Sequence, residues 1–402
     1  MDNGGIRKQE IATKTTEPIP SQWSYQGIMI SFSRTDDSIF GRWWWSVDRV
    51  MLLAFLCMIA FGILMSIAAT PMVANRIGID RFYFLKRHLI YITPSLVIIF
   101  IISALDEASI KKLSVIIFFV FMILIVAALF YSPGIKGAKR WLSIFGFSMQ
   151  PSEFVKPAIT IITAWMISKQ NKFPNFKGKF IATIMVAMFV ALLAMQPDIG
   201  MIVVTIAIWF GQLFLGGIPI IFAFMMTIGG ICVVVLGYSL LPHVANRVDR
   251  FLNPDVGDHY QINRSLEAFS HGGLFGVGPG EGVIKKHLPD AHSDFVFAVL
   301  GEEFGFFICL LVVLLIAFIV IYGMFKAMKE NNLFTIIASV GLLSQFGLQS
   351  FINIASTLHI LPTKGMTLPF ISYGGSSMIA LSILVGMILA LVRHKPISYE
   401  EQ

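Results

Sequence analysis

After a polar opening, the chain settles into long apolar runs separated by mostly short polar connections. Residues 1 to 28 carry Thr, Pro and Gln with no apolar periodicity, which reads as a disordered segment. Runs of membrane-spanning length follow near 50–69, 88–105, 113–132, 154–168, 179–196, 200–216, 218–240, 299–324, 334–356 and 371–392. Ten spans place both termini on one side of a bilayer. The fourth run is short, so it is expected to use interfacial residues at its ends or to tilt little. The predicted fold class is an all-α polytopic membrane protein of ten transmembrane helices. Its divisions are a cytoplasmic tail over 1–42, a membrane domain over 43–395 and a cytoplasmic tail over 396–402. Trp43, Trp44 and Trp45, flanked by Arg42 and Arg49, read as an aromatic belt at the entry to the first span.

One connection breaks this rhythm. The stretch 241–298, between the seventh and eighth spans, is far longer than the rest, and such connections carry function or structure of their own. Ile262–Ser270 reads as an amphipathic helix suited to a membrane surface, apolar at Ile262, Leu266 and Phe269, with His271-Gly272-Gly273 as its stop. Gly276, Gly278, Gly280 and Gly282 then form a glycine-rich loop. No strand precedes it, which argues against a nucleotide fingerprint and favours a flexible loop gripping substrate. In the ninth span, Gln345, Gln349, Asn353 and Ser356 fall near one helical face. Polar groups inside hydrocarbon need partners, so this face is expected to line a wet cavity or to bond other helices. The small residues of Ser372-Tyr373-Gly374-Gly375-Ser376-Ser377 allow close approach by a neighbouring helix or an isoprenoid tail.

Composition agrees with the membrane reading: 56% of the residues are hydrophobic and only 13% charged, which excludes an ordinary soluble domain. Cys57, Cys232 and Cys309 fall in apolar runs, an odd number without zinc or disulfide spacing, and are expected to be buried apolar side chains. No secretory signal peptide is expected, since the first apolar run follows a long polar opening and is itself long enough to span. With termini inside, about 16 Lys and Arg fall on the inner side and about 14 on the outer, a weak positive-inside bias. Arg140, Lys156, Arg247, Arg250, Arg264, Lys285, Lys286 and Lys364 lie in or beside three outer connections. There they would focus a positive field on an anionic substrate or anchor lipid headgroups. No nucleic-acid partner is expected.

Asp294 is the candidate chemical centre, because a carboxylate at the mouth of a membrane helix is costly unless solvated, paired or used. Read as helical, it shares a stripe with Ala298, Gly301 and Gly305, small enough for a helix or lipid chain to come close. Glu302 lies eight residues on, about 12 Å along a helix axis, and Glu303 points to nearly the opposite face. Two carboxylates acting on one glycosidic bond stand about 5 to 9.5 Å apart, so Asp294 reads as a base working alone. All three acids equally suit helix-end charges that face water or cap backbone N–H groups.

Five separated motifs carry a resemblance: Gly137-Ala138-Lys139-Arg140-Trp141, Gln150-Pro151-Ser152-Glu153, Gln196-Pro197-Asp198, LPDAHSDFVFAVLGEEFG over 288–305 and LPTKGMTLPFISYGGSS over 361–377. In that order they resemble the SEDS family of bacterial envelope proteins, covering the chain from about Met29 onwards. Lys364, within PTKG, resembles the family's cell-division branch rather than its elongation branch. The resemblance implies a ten-helix bundle with a large extracytoplasmic loop between helices 7 and 8. It implies peptidoglycan glycosyltransfer, polymerising lipid II, with an undecaprenyl-diphosphate-linked glycan as product, at the outer face of the cytoplasmic (inner) membrane.

By motif, the family's essential aspartate falls on Asp294 and its charged residues at the fourth helix on Arg140, Glu153 and Lys156. Ser293 stands where a threonine is frequent and keeps the hydroxyl. Lys285, Lys286, His292, Lys364, Ser372 and Ser376 complete the candidate substrate-binding set. A lipid diphosphate leaving group needs cations more than a protonating acid, whereas the attacking sugar hydroxyl needs a base. No cofactor is predicted; a divalent cation could assist, though no ligand cluster predicts one. Implied partners are a single-helix division transpeptidase, a class B penicillin-binding protein, and other division proteins at the septum. A lipid II flippase, an elongation polymerase of the same family and a non-catalytic scaffold are the alternatives. Residues 1–28 lie outside the resemblance, and translation is expected to begin at Met29; peptides from residues 2–28 in the cellular protein would refute this.

Overall fold

The computed structural model describes residues 38–393 other than 81, 133, 135–138, 145–146, 241–244, 246–248, 250–259 and 363–364. The expected tails over 1–28 and 396–402, the Met29 start, Arg247, Arg250 and Lys364 lie outside the described residues. Two compact units divide the chain, Met1–Trp45 and Ser46–Gln402. In the first, the described residues form most of helix α1 (Ile39–Ser46), where the Trp43 ring stands 5.7 Å from Phe40 and 6.2 Å from Trp44.

In the second unit every predicted apolar run is helical: α2 (Arg49–Ile77), α3 (Tyr83–Ser103), α4 (Glu107–Tyr131), α5 (Pro151–Lys172), α6 (Gly178–Met195), α7 (Ile199–Leu215), α8 (Ile220–Leu240), α10 (Val296–Ala327), α11 (Leu333–Thr357) and α12 (Gly375–Val392). Helix α9 (Tyr260–Gly272) occupies the long connection. Among the described residues, seven helices are long and apolar enough to cross a membrane, and α7 is a shorter apolar helix. Helix α5 begins earlier than its apolar run because Pro151 sits in the first turn, where its missing N–H costs nothing. Its charged and hydroxyl side chains lower its hydropathy, yet residues 151–164 are all buried, so they meet protein rather than lipid. Helix α4 is the opposite case, exposing Ile116, Phe119, Val120, Ile123 and Phe130. Of the cysteines only Cys309 is buried; Cys57 and Cys232 are exposed on apolar helices, where lipid suits a thiol as well as packing does.

Long-range polar contacts mark two opposite ends of the bundle. At one end Lys326 Nζ lies 2.6 Å from Asp48, Asn332 donates to Glu107 (2.8 Å) and Arg393 to the Ala104 carbonyl (3.2 Å). At the other, Arg140 donates to the Gln196 carbonyl (2.9 Å), the Gln150 N–H to Ser376 Oγ (3.4 Å) and Lys285 Nζ to the Ala68 carbonyl (3.0 Å). A short antiparallel hairpin, β1 (Leu142–Ile144) and β2 (Phe147–Met149), sits at this second end and pairs Leu142 with Met149.

Helix α10 is two helices joined at Gly305, whose φ of 77° and ψ of −175° suit glycine alone. The break leaves backbone groups without helical partners, and the glycine-rich loop supplies them. The Val277 and Gly278 N–H groups donate to the Glu302 and Glu303 carbonyls (3.0 Å each), and the Phe306 and Phe307 N–H groups donate to Gly273 (3.0 Å) and Leu274 (3.3 Å). The Gly276–Gly278 part of the glycine-rich loop therefore braces the break. From Phe306 to Ala327 the helix extends about 33 Å, close to the ~30 Å hydrocarbon thickness. From Leu333 to Asn353 helix α11 rises about 30 Å. Val296–Phe304 forms the first, shorter part of the broken helix α10. Gly301 and Gly272 let α9 lie against this segment: a Cβ at Gly301 would strike the Phe269 ring, and one at Gly272 the Gly301 carbonyl. The buried face of α9 is Ser265, Ala268 and Gly272, and Leu266 is exposed.

Candidate active site

Asp294 is not on the helix but in the turn before it, so the helical stripe predicted for it does not form. Asp290, with φ of 54°, turns the chain, and its carbonyl accepts from the N–H groups of Ser293 (3.1 Å), Asp294 (3.1 Å) and Phe295 (3.3 Å). Aspartate tolerates this left-handed conformation better than most residues. Beyond Ala291, three consecutive carbonyls are each held by a different donor. His292 accepts from the Tyr373 N–H (2.9 Å), Ser293 from Ser372 Oγ (2.6 Å) and Asp294 from Asn353 Nδ2 (3.0 Å). With its backbone so fixed, the half-buried Asp294 carboxylate faces Gly365, where a Cβ would lie 3.4 Å from Oδ2.

The cations predicted to surround it are mostly engaged elsewhere. Lys156 and Glu153 in the first turns of α5 are 3% and 8% exposed and 2.9 Å apart. Lys156 Nζ also donates to Gln349 Oε1 (3.0 Å) on α11, so its charge sits inside the protein. Arg140 Nε donates to the Gln196 carbonyl (2.9 Å) and Nη2 to the Pro197 carbonyl (2.5 Å), while Nη1 stands 3.5 Å from Asp198 Oδ2. Its first structural role is to tie the hairpin segment to the α6–α7 connection. Lys285, expected in the substrate-binding set, is 2% exposed, and its ammonium pairs with Glu303 and donates to the Ala68 carbonyl, so it faces protein and not solvent. Lys286, the next residue, is exposed.

The remaining candidates divide in the same way. Ser372 Oγ accepts from the Leu368 N–H (2.8 Å) while donating to Ser293, and Ser376 Oγ receives the Gln150 N–H; both hydroxyls serve as clamps. The His292 ring packs 4.9 Å from Phe84 and 5.7 Å from Tyr373. Burial raises the Tyr373 phenol above its ordinary value, with Arg87 opposing, so it stays neutral beside the turn. Glu302 is fully buried and accepts from the N–H groups of Val283 (2.7 Å), Ile284 (2.7 Å) and Lys285 (2.9 Å), with His271 Nδ1 at 3.1 Å. It caps the short 3-10 turn Ile284–Lys286, the capping role open to it from the sequence, though not for its own helix. Among the described residues no group of three or more His, Cys, Asp or Glu is placed to hold a metal ion.

Two contributors were legible only as a polar stripe. Gln349 and Asn353 do bond other elements, as one of the two readings of that face had it, and their partners are the site itself. Gln196 and Asp198, visible only as part of a motif, form the seat of Arg140.

A bundle of long apolar helices that buries Glu153, Lys156, Lys285 and Glu303 and fixes the half-buried Asp294 in a turn before one of those helices is that of a multi-pass membrane protein. The family model for the FtsW, RodA and SpoVE cell cycle proteins matches residues 48–397, and the chain belongs to that family. It is similar to the probable peptidoglycan glycosyltransferase FtsW of Caulobacter vibrioides, 44% identical over 373 residues, 92% of this chain and 95% of that one. The protein of that name in Coxiella burnetii is 35% identical, over 86% of this chain and 96% of its own. Among solved structures, a chain from a peptidoglycan synthase complex that coordinates polymerization and crosslinking gives a TM-score of 0.72 at 22% identity, covering 86% of this chain and 97% of that one. The rod shape determining protein RodA of Thermus thermophilus gives 0.65 at 21% identity over 87% and 97%. At those identities the structural likeness shows the fold.

Proposed function

We propose that this chain is a peptidoglycan glycosyltransferase that polymerises lipid II into glycan strands for septal wall synthesis, with Asp294 as its catalytic base. The observation that carries the reading is the pinned turn: three consecutive carbonyls, at His292, Ser293 and Asp294, are held by Tyr373, Ser372 and Asn353. A base fixed by its backbone is poised for a proton on an incoming sugar without reorganisation. The acceptor's N-acetylglucosamine 4-hydroxyl attacks the donor's anomeric carbon and gives its proton to the Asp294 carboxylate. The bond from that carbon to the diphosphate breaks, the lipid diphosphate departs and the anomeric centre inverts. In this reading exposed Lys286, the remaining N–H groups of Arg140 and Lys364 supply positive charge to the diphosphate.

In this reading the chain crosses ten times, both termini lie on one side, taken as the cytoplasm, and the end carrying Asp294 lies outside; the alternation of cross-linked ends supports it. The names of the relatives and the synthase complex support a division polymerase working beside a single-helix transpeptidase in the inner membrane. The deciding experiment incubates purified wild type and Asp294→Asn with lipid II, with and without the transpeptidase, and resolves products on gels. The variant is expected to fold and to lose polymerisation; near-normal product from it would end the assignment.

A further inference from the structure

The interior of the site contains a second arrangement that the proton transfer does not use. On helix α11, Gln345, Gln349 and Asn353 are buried at 2%, 1% and 2% exposure, four residues apart on one face. Gln345 Oε1 accepts from Thr160 Oγ1 of α5 (3.3 Å). Gln349 Oε1 accepts from Lys156 Nζ (3.0 Å), and its Nε2 donates to the Thr367 carbonyl (3.2 Å). Asn353 Nδ2 donates to the adjacent Met366 carbonyl (2.6 Å) and to the Asp294 carbonyl (3.0 Å). One helical turn therefore joins the Glu153–Lys156 pair, residues 366–367 and the Asp294 turn.

From this juxtaposition we infer that Gln349 is a positioning residue, transmitting the placement of the Lys156 charge to the segment that seats Asp294. Its amide orientation is forced, because an ammonium only donates and a carbonyl only accepts. Lys156 thus reaches Asp294 through α11 rather than by touching substrate. The inference rests on the glycosyltransferase reading for its effect on turnover but not for the linkage itself. Leucine at 349 removes both bonds. Glutamate accepts from Lys156 when ionised but can donate to Thr367 only when protonated, so acid restores the amide's full pattern to that variant alone.

The test uses full-length protein in nanodiscs. Hydrogen exchange across 288–295 and 365–373 is compared for wild type, Gln349→Leu, Gln349→Glu and Lys156→Met, and lipid II polymerisation is measured in parallel between about pH 5.5 and 8. Gln349→Leu and Lys156→Met are expected to exchange faster in both segments, and Gln349→Leu to lose about ten- to a hundredfold in kcat with little change in KM. For Gln349→Glu the activity relative to wild type should rise as pH falls, while the ratio for Gln349→Leu stays flat. Unchanged exchange at 288–295 in Gln349→Leu, or matching flat ratios for both variants, would overturn the inference. Coupled exchange in a protein whose wild type makes no polymer would uphold the linkage and count against the proposed activity instead.

Discussion

Replacing Gly305 by alanine should do more harm than adding one methyl group to a membrane helix normally does. The methyl would lie 2.6 Å from the Leu274 carbonyl carbon and oxygen, and closer still to the Gly276 nitrogen, all backbone atoms unable to rotate aside. The φ of 77° with ψ of −175° belongs to a region that non-glycine residues enter at a cost of about 1–3 kcal/mol. Relief by straightening would separate the four hydrogen bonds between 273–278 and 302–307, each contributing about 1 kcal/mol. These are alternative responses and the chain takes the cheaper, so the loss is about 2 to 4 kcal/mol, large against the usual single substitution. Thermal unfolding in nanodiscs measures it, with limited proteolysis of the 273–283 segment as the local reporter. Gly211→Ala on α7, where a Cβ meets nothing within 4 Å, is the matched control and should be neutral or slightly stabilising. A Gly305→Ala protein that melts with the wild type and resists protease equally would refute the account of the break.

Two further predictions concern charge. Lys285→Met leaves the Glu303 carboxylate buried without its cation and should cost about 3–5 kcal/mol in unfolding measurements, part of which Lys285→Met combined with Glu303→Leu recovers. Burial alone would raise the Asp48 carboxyl, but hydrogen bonds from Lys326, the Met51 N–H and Tyr322 outweigh it and hold the carboxyl below the usual 3.8. A carboxyl depressed in the folded state adds stability above its unfolded value and loses it as the pH falls through the folded one. The melting difference between wild type and Asp48→Asn should therefore be full above pH 3.8 and shrink below it; a difference that is unchanged by acid would exclude this ion pair as its source.

The ten long helices were legible because each apolar run is far longer than any core strand or turn, and α9 because its polar face and glycine stop are local signals. The break at Gly305 was not, since its cause lies in backbone donors and acceptors of Gly273–Gly278, some thirty positions earlier and invisible to any helical period. The fate of the cations escaped for a related reason. Charge counts show that Lys156 and Lys285 are basic, but Glu153, Gln349 and Glu303 decide whether those charges meet water. Asp294 was legible by motif, and its place before the helix rather than on it depended on the turn at Asp290. The hairpin at 142–149 offers too few residues for an alternating pattern to register.

The Lys285 contact with the Ala68 carbonyl has a consequence for the covalent chain. It fastens the connection between α9 and α10 to helix α2, while α3 packs on α12 and α5 on α11. Both halves of the polypeptide thus interlock on either side of the stretch between Leu240 and Tyr260. A peptide bond severed there would remove none of the described contacts around Asp294, and two separately translated halves would have the complementary surfaces needed to reassemble.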